Sequence, residues 1–162
     1  VVSYREMGAA GCQLGTRFVC ATESIAHPDF KKAFVRASAR DAVTTTQVDP
    51  NFPVIPVRAL TNKGTERFTE VQRESIARFQ SGELTKEEAQ LETERFWAGA
   101  LRRAVIDGDV ENGSMMAGQS VGMVGGEAPA AEILQVLVDQ AVDALDRRAG
   151  RAERPGAGAA GS

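Results

Sequence analysis

Apolar residues recur at helical spacing in successive stretches of the chain, separated by glycine-rich and polar breaks. Between Asp29 and Ala39, Phe30, Ala33, Phe34 and Ala37 fall on one face beside Lys31, Lys32 and Arg36, which predicts a helix lying on a surface. From Thr65 to Phe79 the positions Phe68, Val71, Ile76 and Phe79 mark a second amphipathic helix, stopped by Ser81-Gly82. Thr85-Lys86-Glu87-Glu88 has the form of a capping box, in which the threonine oxygen and the glutamate each satisfy an orphan amide. The helix it starts should run to about Ile106, burying Leu91, Phe96, Trp97, Ala100, Leu101, Ala104 and Val105, with Asp107-Gly108-Asp109 closing it. A last helix, Ala128 to Ala149, sets Ile133, Val136, Leu137, Ala141, Ala144 and Leu145 on one face, widened by Leu134, Val138 and Val142. That face calls for a partner surface.

The remaining segments read differently. Tyr4 to Ala10 predicts a short helix that ends at Gly8, and Gly11-Cys12-Gln13-Leu14-Gly15-Thr16-Arg17-Phe18 predicts a strand running into a tight turn. Ala42 to Val48 is rich in threonine and valine, and Pro53 to Leu60 alternates apolar residues with prolines that confine a strand to an edge. Gly113 to Gly126, rich in glycine and methionine, predicts a loop leading into a short buried helix. Arg151 to Ser162 has too few apolar residues to build a core and is expected to be a disordered tail.

Composition narrows the function classes. The 162 residues suffice for one domain that buries about 70% of its unfolded surface. With 43% hydrophobic and 25% charged residues and a mean hydropathy of -0.22, the chain is close to the globular average. A net charge of -3, a pI near 5.3 and no basic patch argue against a nucleic-acid partner. No apolar run approaches the ~20 residues of a spanning helix, and no signal peptide is visible, so no membrane partner is expected. Cys12 and Cys20 show neither disulfide nor zinc spacing and fit reduced thiols of a cytoplasmic protein. The first residue is Val1, which hints at a fragment.

Chemistry has few places to reside. In Gly11 to Phe18 a strand ending at a glycine leaves backbone amides free to point at a phosphate, with Gly15 allowing close approach and Thr16 offering a hydroxyl. Such glycine turns are more often structural than functional. Asp107 to Ser114 lacks the glycine and glutamate positions of a calcium loop and reads as a solvated turn. Ser114-Met115-Met116-Ala117-Gly118-Gln119 combines small and flexible residues that let a backbone approach a flat ligand, although core packing is the default for it. The lone His27, beside Pro28, suits a turn or surface role better than a metal site or relay. No metal is expected.

Taken in order, several segments resemble one family. Gly8-Ala9-Ala10-Gly11-Cys12-Gln13-Leu14-Gly15-Thr16-Arg17-Phe18 is similar to the last barrel strand of nitronate monooxygenases (2-nitropropane dioxygenases) and type II enoyl-acyl-carrier-protein reductases. Thr22 to Pro28 with Phe30-Lys31 resembles the lead into the family's next helix. Val57-Arg58-Ala59-Leu60-Thr61-Asn62 and Gly108 through Gln119 resemble later segments, so the likeness runs from about residue 5 to 147.

The resemblance implies an α/β fold: the C-terminal fragment of an FMN-dependent TIM (β/α)8 barrel, contributing its last strand, plus an appended mostly helical region. On that reading residues 1–40 end the flavin-binding barrel, 41–149 form the helical region and 150–162 the tail. Gln13, Leu14, Gly15 and Thr16 match the positions that grip the flavin phosphate, and Met116, Ala117, Gly118 and Gln119 match a segment near the active-site mouth, of which Gly118 and Gln119 are expected to touch the cofactor. The parent would be a flavoprotein oxidoreductase passing electrons from a nitronate or from NAD(P)H, as co-substrate, through FMN to oxygen or an enoyl thioester. A barrel takes ~250 residues, and the family's catalytic histidine belongs to an earlier segment, so no catalytic residue is assigned and His27 is not promoted to that role. A strand separated from both neighbours has open edges, so the chain alone is expected to be inactive and colourless. Two other classes stay open: a helical self-association module that forms a homo-oligomer through the stripes around Trp97 and Leu137, and a decayed product without function.

Overall fold

Three of the six α-helices among the described residues begin where a local side chain accepts one of their free backbone amides. The computed structural model describes residues 1–150. A short α1 (Val2–Glu6) ends before Gly8, whose φ of 93° is the left-handed conformation that favours glycine. Helix α2 (Thr16–Val19) follows, then α3 (Pro28–Arg36), where proline sits in the first turn and the His27 side chain accepts the Asp29 amide. Asn62 caps α4 (Lys63–Gln80) by accepting the Thr65 amide. Thr85 and Glu88 form the expected capping box on α5 (Lys86–Val105). A 3-10 segment, Gln119–Met123, precedes α6 (Ala130–Arg148).

The sheet is small. Strands β1 (Ala42–Thr44) and β2 (Arg58–Leu60) pair antiparallel, with Val43 opposite Ala59. The Gly-rich stretch lies along the other edge of β2: the Leu60 amide donates to the Met115 carbonyl at 2.9 Å and the Ala117 amide to the Arg58 carbonyl at 3.0 Å. Both strands are shorter than the threonine, valine and proline pattern predicts. Pro53 and Pro56 lack amide hydrogens, so the segment before β2 cannot complete a ladder.

One core cluster gathers Cys20, Phe30, Phe34, Ala42, Leu60, Ala104, Met115, Ala117, Val121 and Val124, and thus draws on both halves of the chain. A second forms where Phe52 packs on Ile76 and Ala89, in the hairpin of α4 and α5. Glycines permit the closest approaches. A Cβ at Gly64 would lie 2.6 Å from the Gly113 carbonyl oxygen, so the start of α4 rests directly on the loop after α5.

Three expectations need correction. Gly11 to Phe18 is not a strand: residues 9–15 have no regular structure, 11–15 are exposed, and the chain turns into α2 at Thr16. Strand geometry depends on a neighbour to pair with, and no described segment lies alongside. Helix α3 is less superficial than its charges imply, since Lys31 is only 6% exposed. Helix α6 buries Ile133, half-buries Leu137, Ala141 and Ala144, and leaves Leu134, Val136, Val138, Val142 and Leu145 exposed, so its apolar face is largely uncovered among the described residues. In α5, Ala100 and Ala104 are buried as expected, Phe96, Trp97, Leu101 and Val105 half-buried, and Leu91 exposed. The proposed tail, 151–162, lies outside the described residues.

Candidate functional site

The two glycine-bearing segments singled out in the sequence meet. Thr16 stands at the start of α2 and Gly118 at the start of the 3-10 segment, and the Gly118 amide donates to Thr16 Oγ1 at 2.9 Å across 102 positions of sequence. Space is tight there: a Cβ at Gly118 would lie 3.3 Å from Thr16 Oγ1. Arg17 Nη1 donates to the Gly126 carbonyl at 2.9 Å, which fastens α2 to the end of the same stretch.

Around Thr16 the backbone is open. Gln13, Leu14 and Gly15 are exposed, and a Cβ at Gly11 or Gly15 would touch nothing within 4 Å. The amides of Gly11 through Thr16 donate to no acceptor among the described residues. Because Thr16 Oγ1 accepts the Gly118 amide through a lone pair, its own hydrogen stays available to a ligand. Gln119 is exposed beside Gly118. Unspent donors, uncrowded glycines and a free hydroxyl hydrogen fit a phosphate group.

A buried cation braces this corner, and it is a residue that sequence reasoning passed over. Lys31 Nζ donates to the Ala21 carbonyl at 2.7 Å and to Glu127 Oε1 at 2.6 Å. Beside it the Thr22 amide donates to the Ala128 carbonyl and the Ala128 amide to the Cys20 carbonyl, a parallel bridge joining the exit of α2 to the entry of α6. Glu23 reaches the first amide of α6, Ala130, at 2.9 Å, and that hydrogen bond holds its carboxyl below the ordinary value. Burial pushes the Cys20 thiol up, whereas Cys12 is exposed.

Asn62 is a second residue missed. Its Nδ2 donates to the Val110 and Gly113 carbonyls, both at 2.8 Å, and so pins the loop that leads into Met115. The sequence signal was available in Asn62 as an N-cap ahead of an apolar period, but its loop partners were not. His27 has the turn role expected of it. Its amide donates to the Val105 carbonyl at 2.8 Å and its ring packs on Gly108, where a Cβ would fall 2.3 Å from Nδ1. Asp107 to Ser114 forms a turn in which Asp109 accepts from Asn112, and no cluster of three potential metal ligands occurs among the described residues.

Comparison with known proteins settles the family. The nitronate monooxygenase family model matches residues 4–140. The chain belongs to that family, one of flavin-dependent oxidoreductases. FabK from Thermotoga maritima, an enoyl-acyl-carrier-protein reductase II, superposes with a TM-score of 0.71 at 30% identity, over 93% of this chain and 43% of the FabK chain. A methionine-to-alanine variant of FabK from the same organism gives 0.68 at 28% identity, over 93% and 40%. The chain therefore spans about two fifths of the length of these solved structures. No curated protein matches it. Among the described residues no helix is long and apolar enough to cross a membrane.

Proposed function

We propose that this chain is the C-terminal portion of an FMN-dependent oxidoreductase, and that Gln13, Leu14, Gly15 and Thr16, closed on the other side by Gly118 and Gln119, hold the flavin phosphate. The contact that carries the reading is the Gly118 amide on Thr16 Oγ1, because it draws the two family segments into one donor-rich corner. Bound FMN would supply the two-electron transfer between a reduced partner and an acceptor. The residues of this chain bind and orient: backbone amides and the Thr16 hydroxyl donate to the anion, while Lys31, with Glu127 and the Ala21 carbonyl, keeps α2 and α6 in register behind them.

The reaction itself belongs to the whole protein. Membership in the nitronate monooxygenase family supports oxidation of a nitronate with oxygen as acceptor, and likeness to FabK supports NAD(P)H-dependent reduction of an enoyl thioester. Assaying the full-length parent with a nitronate and oxygen, and with a crotonyl thioester and NADH or NADPH, separates the two. The parent is expected to purify yellow with about one FMN per chain, whereas residues 1–162 alone, which span two fifths of a FabK-sized protein, are expected to be colourless. A flavin-free parent that turns over neither substrate would sink the reading.

A further inference from the structure

Asn112-Gly113 is the one Asn-Gly pair in the sequence, and such a pair carries a chemistry of its own. Gly113 has no Cβ, so its backbone nitrogen is unhindered and its backbone is free enough to close a ring with the side chain before it. Once it has lost its proton, that nitrogen can attack Asn112 Cγ. A bond forms between Gly113 N and Asn112 Cγ, the Cγ–Nδ2 bond breaks, and Nδ2 leaves as ammonia with the proton that Gly113 gave up. Water then opens the succinimide at either carbonyl. The product is aspartate at 112, or isoaspartate, in which the backbone runs through the former side chain. No electrons are exchanged, and water is the only co-reactant.

The fold restrains both reacting groups. The Gly113 amide donates to the Asp109 carbonyl at 2.9 Å, which occupies the hydrogen that must leave. Asn112 Nδ2 donates to the two Asp109 carboxylate oxygens at 3.0 and 3.1 Å, and the Asn112 amide donates to Asp109 Oδ1 at 3.1 Å. A carboxylate facing this turn also disfavours the negative charge that the attacking nitrogen has to carry. Asn112 is nevertheless exposed, so water and hydroxide reach it.

Conversion would disturb what rests on the turn. Asn62 Nδ2 donates to the Val110 and Gly113 carbonyls, and a Cβ on Gly64 would fall 2.7 Å from the Asn112 carbonyl oxygen, so the start of α4 sits against the peptide group that reacts. The Ser114 amide donates to the Ala100 carbonyl at 2.8 Å, and Met115 then begins the stretch paired with β2. Aspartate at 112 sets a second carboxylate against Asp109 where a donor stood. Isoaspartate adds a methylene to the backbone at a contact that has no room for it.

We propose that Asn112 is a deamidation site gated by Asp109, and that its conversion is a slow, one-way switch that unpins the loop leading to Met115 and Gly118. The substrate is the chain itself, and the switch stands apart from the flavoenzyme reading.

The test incubates residues 1–162 at mildly alkaline pH, with and without urea, and follows the amide-to-acid mass change by peptide mapping. Asn51, before Phe52, and Asn62, before Lys63, are internal controls. Asn112 should deamidate at least about tenfold faster in urea than in native buffer, because the turn has to open before the ring can close. Asp109→Ala should bring the rate in native buffer to within about threefold of the rate in urea. Should that variant fail to fold, the wild-type comparison decides the gating by itself. Asn112→Asp, and wild-type chain deamidated in urea, refolded and separated by anion exchange, should each melt about 2–8 °C lower. In both, hydrogen exchange at the Leu60 and Gly118 amides should speed up, while Asn112→Gln, whose longer side chain closes the ring poorly, should stay unmodified. Equal rates at Asn112 in native buffer and urea, a folded Asp109→Ala that reacts no faster than wild type, or a converted chain with unchanged melting and exchange overturns the proposal.

Discussion

Thr16→Val isolates the contact on which the proposed cradle depends. Valine replaces the hydroxyl with a methyl of similar size, so packing is kept while Gly118 loses the acceptor that its amide reaches at 2.9 Å. Gly118 is half-buried, so water compensates in part. The lost bond costs about 1 kcal/mol, rising to roughly 2 where the amide stays unsatisfied. In a chain of this size that lowers Tm by about 2–8 °C, read by circular dichroism. In the parent the same change removes the hydroxyl hydrogen from the phosphate and should raise the FMN Kd by roughly fivefold to thirtyfold. Thr16→Ser, which keeps the hydroxyl, should restore both to within about 0.5 kcal/mol. If Thr16→Val lowers Tm and leaves flavin affinity unchanged, the hydroxyl is a structural pin and its place in the cradle is refuted. Should neither quantity move, the geometry around Gly118 is wrong.

Three further outcomes follow from the packing and the charges. Gly64→Ala forces a Cβ to within 2.6 Å of the Gly113 carbonyl oxygen, a backbone atom that cannot rotate away, and should destabilise the chain by about 1–3 kcal/mol in urea unfolding. Glu23 has its carboxyl pKa depressed by the Ala130 amide, so its contribution is present above the ordinary value of 4.5 and is lost as pH falls through the lower folded value. Glu23→Gln should accordingly flatten the fall in urea midpoint between neutral pH and pH ~3. A thiol titration under native conditions should label Cys12 alone, with Cys20 reacting only in denaturant, because Cys20 is fully buried and its thiol is pushed up by desolvation. Two rapidly reacting thiols would contradict that burial.

Helices were legible where their determinants are local. The capping box at Thr85 and Glu88 and the Ser81-Gly82 stop act within a turn or two of chain, and the structure places both within a residue or two of the reading. Strands were less so, because a strand is defined by its partner. Gly11 to Phe18 has strand-like residues but no described neighbour, whereas Met115 to Ala117, read as loop, is drawn straight by β2. Burial of charge was invisible for the same reason. Lys31 fell beside the apolar face of its helix and looked solvated, yet Glu127, 96 positions away, makes its burial tolerable. Periodicity found the apolar face of α6 without revealing what covers it. Both halves of the proposed cradle were identified in the sequence, but their meeting was not, since no local rule links Thr16 to Gly118.

On the proposed reading, that long-range meeting would tie cofactor binding to the fold. Gly118 is positioned by Met115 to Ala117 on β2, β2 by β1, and the loop ahead of Met115 by Asn62 at the start of α4. A substitution that loosens this chain of contacts therefore shifts one half of the cradle without touching the phosphate. By linkage the reverse also holds: a ligand bound across Thr16 and Gly118 stabilises the whole arrangement, by about 2.7 kcal/mol at a hundredfold excess over Kd.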